Sequence, residues 1–157
     1  HSLKQVSTFY LNEVFRFIRQ LLNADHFKHV NVVIKYLTAE HKLLLKADIE
    51  PAIYSTLRSF RRKMEEHAFQ SQFMPIAAFF CRFITDNEKN GPINPSLKEV
   101  IELVLLLGSR CYESGMPRGT LDFQFTGFFG TERLLSQIQH FWDNERPFYR
   151  VCAFVLP

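Results

Sequence analysis

Residues 3–22 read LKQVSTFYLNEVFRFIRQLL. Leu3, Val6, Tyr10, Val14, Phe17, Ile18 and Leu21 recur in the i, i+3, i+4, i+7 rhythm that puts side chains on one face of an α-helix. Phe9, Leu11, Phe15 and Leu22 fall outside that stripe, so the apolar face is wide and should meet two neighbouring elements rather than one. A strand would alternate with period two, and this stretch does not.

Working outward, Asn23–Asp25 interrupt the pattern, and Asp25 is the expected N-cap of a second helix through Val30, Val33, Ile34 and Leu37. A third helix is expected to start near Asp48, because Pro51 suits a first turn in which no intrahelical amide bond is lost. Ile53, Leu57, Phe60 and Met64 then keep helical spacing. Pro75 opens or kinks a fourth segment, whose core-facing residues are Ile76, Phe79, Phe80, Phe83 and Ile84. The stretch DNEKNGPINP (residues 86–95) concentrates turn formers and marks a loop and a possible internal boundary. Ser96 with Glu99 forms a capping box that starts a helix over residues 97–111, apolar on nearly every side between Val100 and Leu107.

After a second loop, SGMPRGT (114–120), the segment LDFQFTGFFG (121–130) mixes alternating aromatics with Gly127 and Gly130. An irregular connection is expected there. Thr131 caps a further helix through Leu134, Leu135, Ile138, Phe141 and Trp142, which Pro147 ends. About six helices therefore give an all-α fold, either a helical bundle or a short α-solenoid of HEAT-like helix pairs. The solenoid alternative rests on the match of residues 2–6 (SLKQV) to residues 96–100 (SLKEV), a spacing compatible with two helix pairs of about 47 residues each. The helices between show no comparable identity.

The chain of 157 residues fits a single helical domain (1–157) able to bury a core without disulfides or metal. Its 17 Phe, 5 Tyr and 1 Trp against 6 Gly imply a core of large side chains with few tight turns. The net charge of +3 is a mild excess spread along the sequence and does not by itself call for nucleic acid. Cys81, Cys111 and Cys152 form an odd, widely spaced set that reads as reduced thiols, placing the chain in the cytoplasm or nucleus. No apolar run reaches the length needed to span a bilayer, so no membrane partner is expected. The first residue is His and residues 148–157 are largely apolar up to the end, so a piece of a longer protein is expected.

Chemistry-bearing patterns are sparse. His26 and His29 are three residues apart, a zinc-ligand spacing, yet no CxxC pair or further ligand cluster accompanies them, so no metal or other cofactor is expected. Cys81 and Cys111 lie in apolar helices that suit inert thiols better than nucleophiles. Nucleotide-binding glycine loops, serine-hydrolase elbows and zinc-protease motifs are absent from the sequence, so an enzyme is not expected.

Two binding patterns remain. Phe123, Phe125, Phe128, Phe129, Phe141 and Trp142 are hard to cover completely beside two glycines, and exposed aromatic clusters mark protein-binding surfaces. The basic run RSFRRK (58–63) supplies Arg58, Arg61, Arg62 and Lys63, to which Arg16 and Arg19 add a second basic helix; a nucleic-acid backbone is the partner such a face would take. Glu65 and Glu66 follow at once and weaken that alternative. The expectation is accordingly a protein–protein interaction module, a scaffold or adaptor segment of a larger intracellular complex, with nucleic-acid binding as the alternative.

Overall fold

The computed structural model describes residues 3–39, 50–87 and 95–116. Among these there are five α-helices and no strand: α1 (Leu3–Asn23), α2 (Phe27–Ala39), α3 (Glu50–Glu66), α4 (Phe73–Asn87) and α5 (Pro95–Glu113). The fold is all-helical, with helices packed in the manner of a bundle. The sixth expected helix and the aromatic segment 121–130 lie outside the described residues. The chain divides into two compact units, His1–Glu66 and His67–Pro157.

In the first unit α1 packs against both α3 and α2, the two neighbours its wide apolar circumference calls for. The core is Leu11, Phe15, Ile18 and Leu22 of α1, Phe27, Val30, Ile34 and Leu37 of α2, and Ile53, Leu57, Phe60 and Met64 of α3. For α3 these are the four residues picked out by periodicity. For α1 they are not: of the stripe from Leu3 to Leu21 that periodicity favours, Ile18 is buried, while Val6, Tyr10 and Phe17 face solvent. The core takes the residues left outside that stripe, Leu11, Phe15 and Leu22. The physical reason is that apolar side chains occupy more than half of the helix circumference, so spacing alone does not choose between two overlapping stripes.

The α1–α2 junction also differs from expectation. Asp25 does not cap α2; it sits at φ 61° and closes α1. The Asp25 amide donates to the Leu22 carbonyl at 3.0 Å and the His26 amide to the Leu21 carbonyl at 2.9 Å, the paired bonds of a Schellman motif with aspartate where glycine is usual. The N-cap position of α2 falls to His26, whose carbonyl accepts from the Val30 amide at 3.1 Å. Aspartate tolerates the left-handed region better than most residues, and for that reason it serves at the end of α1.

In the second unit α4 packs against α5. Phe73, Ile76, Ala77, Phe79, Phe80 and Cys81 are buried from α4, and Leu103, Val104, Leu105, Leu107 and Cys111 from α5. Pro75 lies in the first turn of α4 and starts the helix rather than kinking it. α5 ends in a second Schellman motif. Gly115 stands at φ 73°, its amide donating to Tyr112 at 3.0 Å and that of Met116 to Cys111 at 3.1 Å. None of these helices is long and apolar enough to cross a membrane.

Candidate interaction surfaces

Two surfaces of the first unit carry side chains that the core does not use. The first is apolar. Phe9 is 71% exposed and Phe17 50%, and Val6 and Tyr10 stand beside them on the outer side of α1. Across the helix pair, Val32 is 64% and Tyr36 51% exposed on α2. The Tyr10 hydroxyl donates to that of Tyr36 at 3.1 Å, so the exposed rings of the two helices meet at that point and the six side chains are called a ridge below. Charged groups lie within and beside it: Glu13, one turn from both Phe9 and Phe17, approaches Arg16 to 3.7 Å on α1, while Lys28 and Lys35 are exposed on α2. Apolar exposure of this kind draws attention because six large side chains gather on one helix pair; scattered single residues would not.

The second surface is basic. Ser55, Arg58, Arg61, Arg62 and Glu65 line an open groove of about 380 Å³ along the outer face of α3. These positions recur at three- and four-residue intervals, which brings them to one side of the helix, opposite Ile53, Leu57, Phe60 and Met64. Arg62 is braced from beneath, its Nη2 donating to the Ser59 hydroxyl at 3.3 Å. Ser59 is buried and in turn donates to the Ser55 carbonyl at 3.1 Å.

The remaining basic candidates do not join this groove. Lys63 is one residue beyond Arg62 but turned about 100° round the helix; its Nζ lies 3.0 Å from Asp25 Oδ1 and 3.4 Å from Glu66 Oε2. The hydrogen bond to Asp25 is the main cause that holds the Lys63 ammonium above the ordinary lysine range, with Coulombic attraction to Asp25 and Glu66 adding and partial desolvation opposing. Arg19 points from α1 toward α3, where Nη1 donates to the Thr56 hydroxyl at 3.0 Å and the Ala52 carbonyl at 3.3 Å. Thr56 is fully buried and donates to the same carbonyl at 2.7 Å. Partial burial, and then the proximity of Arg16, lower the pKa of Arg19. Arg19 is thus a polar staple between two helices, and Arg16 stands on the exposed side of α1 beside Glu13.

His26 and His29 approach edge to face with ring centroids 5.4 Å apart. Among the described residues no group of three or more His, Cys, Asp or Glu gathers where a metal ion could be held. The thiols of Cys81 and Cys111 are both buried, and burial pushes both upward in pKa, Cys111 to about 11. A thiol so placed is a poor nucleophile near neutral pH, since the thiolate is the reactive form. Phe123, Phe125, Phe128, Phe129, Phe141, Trp142 and Cys152 lie outside the described residues.

The apolar ridge was missed at the sequence level, although its residues were in view. The signal that exposes it is an excess: α1 carries more apolar side chains than one buried stripe can absorb, and the surplus has to face solvent or a partner. Compared with family models, curated proteins and solved structures, the chain matches none of them.

Proposed function

We propose that this chain is a protein-interaction module, a helical scaffold or adaptor segment of a larger cytoplasmic or nuclear assembly, without catalytic activity of its own. The observation that carries this reading is the ridge formed by Val6, Phe9, Tyr10 and Phe17 of α1 with Val32 and Tyr36 of α2. Isolated domains seldom leave such a set of rings in water, and aromatic anchors supply most of the affinity in protein interfaces. The Tyr10–Tyr36 bond restrains two of these rings before any partner arrives, which lowers the entropy lost on docking. The aromatic segment around Phe125, Phe128 and Phe129 is proposed as a second part of the binding surface, on composition alone. Nucleic-acid binding through the basic helix faces has less support, because Arg19 and Lys63 are engaged within the unit.

The test compares proteins captured from lysate by the wild-type chain with those captured by a Phe9→Ser/Phe17→Ser variant. The expected outcome is loss of specific partners at an unchanged melting temperature. An identical set of partners at equal yield would overturn the assignment of the ridge.

A further inference from the structure

Resting on the reading of the apolar ridge as a docking surface, we propose that its occupant is an acidic amphipathic helix of a partner protein. That helix lies along the α1–α2 pair with a row of carboxylates facing Lys28 and Lys35.

The turn between Asn23 and Phe27 reverses the chain within three residues, so α1 and α2 run antiparallel. Tyr10 and Tyr36 meet at the end away from that turn. Counting equal steps back from their contact brings Val14 level with Val32 and Phe17 level with His29. Val14 and Val33 are half-buried between the exposed residues of the two helices. From Val6 to Phe17 the exposed apolar residues of α1 extend over about 16 Å, three turns of helix. Both walls are helices whose backbone amides and carbonyls bond within themselves, so an extended peptide finds no main-chain partner here. A helical occupant brings its own backbone bonds and needs only apolar side chains at i, i+3, i+4 and i+7.

Charge decides the chemistry of that helix. α2 reads FKHVNVVIKYLTA and holds no Asp or Glu. Lys28 and Lys35 are both exposed, seven residues and about 10 Å apart on one side of α2, with exposed Val32 between them. Carboxylates one heptad apart on a partner helix match that spacing. Along α1 the charges of Glu13 and Arg16 offset one another at 3.7 Å, so the positive excess belongs to the α2 side. Glu13 stands one turn from Phe9 and Phe17, which confines the acidic row of the partner to the flank facing α2. A second copy of this chain would set Lys28 and Lys35 against another surface of positive excess. An anionic membrane would press Glu13 against its headgroups. A helix acidic on one flank and neutral on the other avoids both repulsions.

The test titrates the full chain with two fluorescent peptides of about fourteen residues, each with Leu on one face and a staple on the opposite face to equalise helicity. They differ only in a flanking row at heptad spacing, Glu in one and Lys in the other. The Glu peptide should bind wild type about tenfold or more tightly than the Lys peptide, by a ratio that shrinks as salt is added. Lys28→Glu/Lys35→Glu should reverse that order, with the melting temperature confirming the fold. Phe9→Ser/Phe17→Ser should weaken the Glu peptide about tenfold or more. Equal affinities of the two peptides for wild type, both lost in the Phe variant, would overturn the acidic partner and leave the ridge standing as a docking surface. Glu-peptide binding that survives the Phe variant would overturn the ridge reading as well. Absence of saturable binding by either peptide also overturns the proposal. So does ridge-dependent self-association that excludes the peptides, which assigns the face to a second copy, or partition onto phosphatidylserine vesicles in preference to both peptides, which assigns it to a lipid surface.

Discussion

The ammonium of Lys63 on α3 lies 3.0 Å from the carboxylate of Asp25, the residue that closes α1 in the left-handed conformation. One ion pair therefore ties the end of α3 to the turn between α1 and α2. The Arg19–Thr56 bond makes a second tie between α1 and α3.

The first tie predicts a pH dependence. Because the folded-state pKa of Lys63 is raised, its contribution to stability is complete below the unfolded lysine value of about 10.4 and is lost as pH rises through the folded value. The melting temperature of wild type should exceed that of Lys63→Met at pH 9, and the gap should close as pH climbs beyond the lysine range. A gap that stays constant to pH 11.5 would show that the pair does not act this way.

Backbone strain at Asp25 and freedom at Gly115 make a paired prediction. In a Lys63→Met background, where the ion pair is already gone, Asp25→Gly should stabilise by about 0.5–1 kcal/mol and Asp25→Ala should destabilise by about 1 kcal/mol. At Gly115 an added methyl meets nothing within 4 Å, so Gly115→Ala should cost only the strain of φ 73°, about 1 kcal/mol. Chemical denaturation reads all three values.

Cys81 and Cys111 should react slowly with an aromatic disulfide reagent at pH 8 in the folded chain and at ordinary thiol rates in denaturant. Both pKa values are raised by burial, so each thiol favours the folded state below the ordinary thiol value of about 8.5. For Cys111 that contribution disappears as pH approaches about 11. Fast labelling of either thiol without unfolding would contradict its placement in the core.

The division of α1 into two faces separates otherwise similar substitutions. Phe15→Ala removes a fully buried ring and should cost about 3–5 kcal/mol. Phe9→Ala and Phe17→Ala remove exposed rings and should stay within about 0.5 kcal/mol of wild type. Guanidinium denaturation midpoints at constant slope provide the comparison.

Helices are legible in this sequence wherever one apolar stripe is bounded by polar residues. α3 is the clear case: Ile53, Leu57, Phe60 and Met64 are at once the periodic residues and the buried ones. α1 fails that condition. Tyr10 and Phe17 fit the helical rhythm as well as Leu11 and Phe15 do, and only the placement of α2 and α3 decides which pair is covered. Asp25 was legible as a helix boundary but not as the end of α1, since aspartate serves both N-caps and left-handed turns. In the run from Arg58 to Lys63, sequence adjacency hides a rotation that sends Lys63 to Asp25 and leaves three arginines around the groove.

The central claim, that the outer ridge of α1 and α2 is where a protein partner docks, is tested most directly by site-specific photo-crosslinking. Benzoylphenylalanine is placed at position 9, 17 or 36, and at position 51 as an exposed control on α3. Adducts to the same partner from positions 9, 17 and 36, with none from position 51, are the predicted result. Adducts from position 51 alone would contradict the claim and move the docking surface off this ridge.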